Sequence, residues 1–153
     1  MDQRSEQEDV GELVRVSVDS ATVEANLSIP EEAEGIVLFA HGTGSSRHSP
    51  RNNFVAEELR DGGLATLLID LLTLEEKKID RRTRRIRFDI ERLAERVVGA
   101  VDWLREQSET KDLNVGLFGS STGAAAALIA AADRPAVARA VVSRGGRVDM
   151  AEG

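Results

Sequence analysis

The sequence predicts an α/β protein, a three-layer α/β/α sandwich whose sheet has about six strands and is mostly parallel. Three observations carry that prediction. From Gly35 onward, short apolar runs alternate with helix-like stretches, the pattern of a parallel sheet with helices on both faces. The runs "GIVLFAHG", "LATLLIDLL", "NVGLFG" and "VARAVVSRGG" read as strands buried on both faces, because they are apolar without alternation. Ahead of them, "LVRVSVDSATVEANLSI" alternates apolar and polar residues on both sides of Asp19-Ser20, which reads as an N-terminal antiparallel hairpin with one solvated face.

Each element has a local reason. Residues 1–10, "MDQRSEQEDV", are polar and acidic and read as a flexible N-terminus, and residues 11–153 read as a single domain. After the first parallel strand, the loop "HGTGSSRHSPRNN" leads to a short helix near Phe54–Asp61, stopped by Gly62-Gly63. Residues 74–87, "LEEKKIDRRTRRIR", are charged throughout and read as a solvated surface segment, with Asp80 and Arg84 at helical spacing to neutralise each other. Phe88, Ile90, Leu93, Ala94, Val97, Val98, Val101 and Leu104 then recur at helical spacing and give a long amphipathic helix to about Arg105. Trp103, on that helix, reads as a core or interface residue. Residues 121–133 form the last helix.

Composition excludes several classes of function. The 153 residues suffice for one buried core, and with aromatics at 3% that core must be built from Val, Leu, Ile and Ala. No apolar run approaches the roughly 18 residues that a membrane span needs, and the acidic N-terminus is unlike a secretory signal. Cysteine is absent, which removes disulfides and thiolate metal sites. The net charge of −7 argues against nucleic acid or an anionic membrane as the main partner. A cytoplasmic protein with no cofactor is the expectation.

Chemistry concentrates in two loops. In "GLFGSSTGAAAA" an apolar run becomes a helix-forming run across Gly119-Ser120-Ser121-Thr122-Gly123. Small residues there could serve tight packing of a helix on a sheet. Gly-x-Ser-x-Gly at a strand-to-helix turn is also how a serine nucleophile is held up for attack. On that reading Ser121 is the nucleophile, and the backbone N–H of Thr122, at the helix start, faces a developing oxyanion. The loop "FAHGTGSSRHSPRNN" follows the first parallel strand, where these sheets find a second oxyanion donor, here the N–H of Thr43 between Gly42 and Gly44. A dinucleotide site is the rival reading of that loop. Arg47 stands where such a site wants its third glycine, while Asp70 could mimic a ribose-binding acid. A phosphate loop fails, since no Gly-Lys-Ser/Thr follows.

"VLFAHGTGSSRHSPRN", "LIDLLT", "RFDI" and "GLFGSSTGAAAALIAAA" together resemble the dienelactone-hydrolase-like branch of the α/β-hydrolase superfamily, from about Val14 to Arg147. The resemblance implies a truncated α/β-hydrolase fold and a serine esterase acting on small carboxylic esters or lactones. By position it makes Ser121 the nucleophile, with Thr43 and Thr122 as oxyanion-hole donors. The superfamily's triad runs Ser, Asp or Glu, then His along the chain, yet the only histidines here, His41 and His48, both precede Ser121. The strands that carry the acid and the histidine are therefore expected to be missing, and activity in this chain alone to be weak or absent. His48, in the loop facing Ser121, is the candidate base, or else braces that loop together with Arg47 and Arg51. His41 is expected to bond local backbone, Asp149 to be a solvated tail residue, and the two histidines are too few to argue for zinc. The alternative is a non-catalytic scaffold. On either reading, the strand near Ala140–Ser143 becomes an edge that invites a homodimer or higher self-association.

Overall fold

The computed structural model describes residues 11–18, 21–42 and 45–144. Two strands, β1 (Glu12–Val18) and β2 (Ala21–Ser28), pair antiparallel with Val16 opposite Val23. In β1, Val16 and Val18 are buried and the residues between and before them are not, which is the one solvated face that the alternation predicts. The turn residues Asp19 and Ser20 lie outside the described residues.

The remaining strands are β3 (Gly35–Ala40), β4 (Ala65–Ile69), β5 (Asn114–Ser120) and β6 (Ala138–Arg144). They complete one six-stranded sheet in the order β1-β2-β4-β3-β5-β6. Strands β4, β3, β5 and β6 run parallel, and β2 joins β4 antiparallel, so the hairpin extends the parallel sheet at its β4 side. The helices are α1 (Pro50–Asp61), α2 (Leu74–Thr83), α3 (Ile90–Glu106) and α4 (Thr122–Asp133), with a 3₁₀ turn at Ile86–Phe88.

Alternate residues of the central strands feed the two faces. Leu38, Leu67 and Leu117 join the large core with Val97, Val101 and Leu104 of α3 and Ala126 and Ala130 of α4. Phe39, Leu68 and Phe118 meet Ala56 of α1 in a small second core, where the Phe39 and Phe118 rings lie 5.0 Å apart. Trp103 packs against the large core.

Four expectations shift. Helix α1 begins four residues earlier than periodicity suggests, because Ser49 caps it by accepting from Asn52 N–H and Pro50 fills its first turn. The charged stretch 74–87 is a helix and a 3₁₀ turn that pack on the body, with Asp80 buried. Asp80 pairs with Arg87, not Arg84: Nε of Arg87 donates to Oδ2 at 2.9 Å, while Arg84 caps α2 with φ 57°. Strand β6 is apolar but not buried on either face; none of its residues is buried, and Val142 is 52% exposed, because it pairs only with β5 among the described residues.

Candidate functional site

The turn from β5 into α4 forces Ser121 into φ 56°, ψ −128°. A non-glycine residue held there costs on the order of 1–3 kcal/mol and persists only where the surroundings over-determine it. Here the surroundings are backbone. A methyl group on Gly119 would lie 2.6 Å from Ala124 Cα and from Gly123 O, and one on Gly123 would lie 2.3 Å from His41 O. Glycine at both positions lets α4 start directly against β3. Ser121 is half-buried, its side chain does not cap α4, and its carbonyl accepts from Ala124 N–H at 3.0 Å.

The loop after β3 closes on this corner. A methyl group on Gly42 would lie 2.8 Å from Ser121 Cβ, so the two predicted loops meet at the proposed nucleophile. A cavity of about 310 Å³ opens beside them, lined by Gly42, His48 and Thr122, by the apolar Leu72 and Leu93, and by Lys77, Asp80, Arg81 and Arg87. The charged segment 74–87 thus forms one wall of the site. Thr43 and Asp149, expected as oxyanion donor and tail residue, lie outside the described residues.

The two histidines play different parts. His41 is buried, with Nε2 accepting from Leu71 N–H at 2.9 Å and Nδ1 donating to Gly42 O at 3.1 Å. Burial holds its pKa below the ordinary histidine value. Nδ1 bonds local backbone as expected, but Nε2 reaches the backbone of Leu71, 30 residues along the chain, so the ring has no lone pair to offer Ser121. His48 is exposed on the cavity wall, and its backbone N–H donates to Ser46 Oγ at 3.1 Å.

The bracing role falls on Arg47 rather than His48. Its backbone N–H and Nη1 both donate to Asp70, at 2.7 and 2.5 Å, and its Nε donates to Asn26 Oδ1. Lys77 Nζ donates to the same carboxylate at 2.8 Å. Burial would raise the pKa of Asp70, yet Lys77 and Arg47 hold it below the usual carboxylate value. At 1% exposure and with three donors on it, Asp70 is unavailable to a ribose, which removes the dinucleotide reading of this loop.

A second ionic knot was not foreseen. Arg96 Nη1 and Nη2 donate to Glu76 Oε1 and Oε2 at 2.7 and 2.8 Å, and Arg92 adds a third contact. The Arg96 fork is the main reason the Glu76 carboxyl is held down to about 2. Two signals could have exposed it. Thr73-x-x-Glu76 is a capping box, and both of its bonds form; Arg96 interrupts the apolar stripe of α3 between Leu93 and Val97. Among the described residues, no group of three or more His, Cys, Asp or Glu is placed to hold a metal ion.

Known proteins place this geometry. A dienelactone hydrolase from Anabaena variabilis is 62% identical and superposes with a TM-score of 0.90, over 92% of this chain and 65% of that one. The chain is thus similar to the dienelactone-hydrolase-like branch of the α/β-hydrolase superfamily and shares its fold over 92% of its own length. The same fold recurs at low identity. An alpha-beta serine hydrolase homologue from Coxiella burnetii matches 86% of it at 16% identity and TM-score 0.69, over 61% of that chain. An esterase from Pyrococcus furiosus matches 94% of it at 19% identity and TM-score 0.68, over 56% of that chain. Two curated Mycobacterium tuberculosis proteins, from the CDC 1551 and H37Rv strains, are 55% identical over 140 residues and carry the provisional name phosphoribosyl transferase. The match takes in 92% of this chain but 31% of those relatives, so the chain spans less than a third of their length. No family model matches.

Proposed function

We propose that this chain is a serine-nucleophile hydrolase of small carboxylic esters or lactones, working in the cytoplasm without a cofactor. The observation that carries the reading is the strained corner at Ser121, pinned between Gly119 and Gly123 at the mouth of β5. Such strain serves no packing need that glycine would not meet better. Ser121 Oγ attacks the ester carbonyl carbon and loses its proton to a base. The C–O bond to the leaving alcohol breaks, and water then releases the acyl group as a carboxylic acid. Backbone N–H groups of Thr122 and Thr43 stabilise the oxyanion.

Within this chain the base falls to His48, because His41 has both ring nitrogens engaged and no histidine follows Ser121. Turnover by this chain alone is therefore weak. By analogy with serine proteases, oxyanion stabilisation and binding without a full triad leave about 10³–10⁴-fold over water. The phosphoribosyl transferase name of the mycobacterial relatives attaches to proteins of which this match is less than a third, and the serine corner answers to acyl transfer instead. A fluorophosphonate probe tests the reading: labelling of wild type that disappears in Ser121→Ala supports it, and no labelling of wild type sinks it.

A second reading, favoured by the exposure of β6 and by its single strand pairing among the described residues, is a non-catalytic scaffold that self-associates through Ala140–Ser143. It predicts oligomers without labelling.

A further inference from the structure

Among the buried titratable groups that the proposed reaction leaves unused, His41 is the one next in sequence to Gly42, which abuts Ser121. His41 is 7% exposed and bonded at both nitrogens to backbone groups of opposite kind. The carbonyl of Gly42 can only accept, so Nδ1 must carry the proton; the N–H of Leu71 can only donate, so Nε2 must be bare. One neutral tautomer satisfies both. A second proton would sit on Nε2, pointing at the N–H of Leu71, and turn that hydrogen bond into a clash of donors.

Each end of the ring leads to the site. On one side Gly42 abuts Ser121, and the carbonyl of His41 itself is what a methyl on Gly123 would strike. On the other, the Leu71 carbonyl accepts from Arg96 Nη1 at 3.0 Å, and Arg96 forks onto Glu76 of α2. The backbone of Leu71 is thus held at both its N–H and its carbonyl. Two charges bear on the ring from neighbouring elements: Asp70, at the end of β4, favours the imidazolium, and Lys77, on α2, opposes it. Asp70 is itself shared with Lys77 and Arg47, and burial prevails, which keeps His41 neutral.

We propose that His41 is the positioning residue of this site: as the neutral ring with its proton on Nδ1, it anchors the turn at Gly42 to Leu71 and so holds that turn against Ser121, and protonation releases the hold. The brace stands on geometry alone; its effect on reactivity rests on the Ser121 reading.

The test joins ¹⁵N NMR of the full chain to the rate of fluorophosphonate labelling. The expected spectrum has Nδ1 protonated and Nε2 bare, with the amides of Gly42, Leu71 and Thr122 moving together with the ring as acid is added. Three variants divide the bonds. His41→Gln can reach Leu71 with an acceptor oxygen, His41→Asn keeps a donor beside Gly42 but is too short for Leu71, and His41→Leu keeps neither. Labelling within about threefold of wild type is expected for His41→Gln, and a loss of about tenfold or more for the other two, as a shifted turn produces. The part of the acid limb of the wild-type labelling rate that follows the His41 ring titration should vanish in His41→Gln, leaving only the part that belongs to the base. A ring that titrates at the ordinary histidine value with those amides stationary overturns the proposal, as does an Nε2-protonated tautomer or a His41→Leu variant labelled at the wild-type rate. Should wild type resist labelling altogether, the Ser121 reading fails, and the co-titration of ring and amides, present or absent, still supports or overturns the brace.

Discussion

Adding a single methyl group at Gly123 tests the packing behind the corner. In Gly123→Ala the new carbon would sit 2.3 Å from His41 O and 2.4 Å from Ala40 O, where ordinary contact begins at 3.4 Å. Both obstacles are main chain, at the end of β3 and one residue beyond it, so neither can swing aside, and α4 must back away from the sheet by about 1 Å. Overpacking of this kind costs about 1–3 kcal/mol, and the upper end applies to rigid neighbours. Alanine returns at most about 1 kcal/mol of helix propensity. The net loss is then about 2 kcal/mol, or about 4–8 °C in melting temperature at this chain length. Urea unfolding followed by circular dichroism measures it, with two controls on the same background. Gly116→Ala meets nothing closer than 3.8 Å and should stay within about 0.5 kcal/mol of wild type. Gly63→Ala has open space but φ +96°, and should lose about 1 kcal/mol through strain alone. Equal midpoints for Gly123→Ala and Gly116→Ala would refute the account of why the corner is built from glycine.

The corner also predicts a trade between stability and reactivity. Ser121→Gly relieves φ 56° and should raise the unfolding free energy by about 1 kcal/mol while abolishing probe labelling; a destabilised variant would contradict the strain. Asp70→Asn strips the charge that Arg47 and Lys77 share and should cost about 3–5 kcal/mol in the same urea assay, against less than 1 if the pairs are solvated ornaments. Acid should act through Glu76. Its folded carboxyl is held down to about 2 against an ordinary value of 4.5, so the unfolded chain takes up the proton first. Its contribution is complete above the ordinary value and is lost as pH falls toward the lower one; a Glu76→Gln chain should show a flatter acid limb of stability over that range. Val142→Glu places a charge on the bare face of β6 and should lower the sedimentation coefficient, whereas a wild-type monomer at tens of micromolar would dispose of self-association.

Why some of this was legible in the sequence, and some not, follows from the range of each interaction. Strand and helix identities are written in local periodicity, and the corner at Ser121 is written in five consecutive residues, so both could be read. The start of α1 was misplaced because its signal is a capping pair, Ser49-Pro50, rather than an apolar stripe. Burial of β6 was misjudged since apolar content reports what a strand could bury and says nothing of what lies on it. The segment at 74–87 looked solvated because charge alone was counted; its attachments to Asp70, Arg92 and Arg96 come from β4 and α3, remote in sequence and visible only once the sheet brings them together. Asp70 itself gave a hint: an acid closing a buried strand needs partners of opposite charge.

Strand order also sets the timetable of folding. The hairpin and the β3-α1-β4 unit join segments close in sequence, so they can assemble from short loops. Strand β5 must insert beside β3 from far along the chain, with Asn114 finding Gly35, and loop closure over that span is slow. Ser121 arrives with β5, whereas Gly42 is already waiting at the end of β3. The corner proposed to carry the nucleophile therefore joins two segments that are remote in sequence, and it takes shape only once the pairing of β5 with β3 has closed.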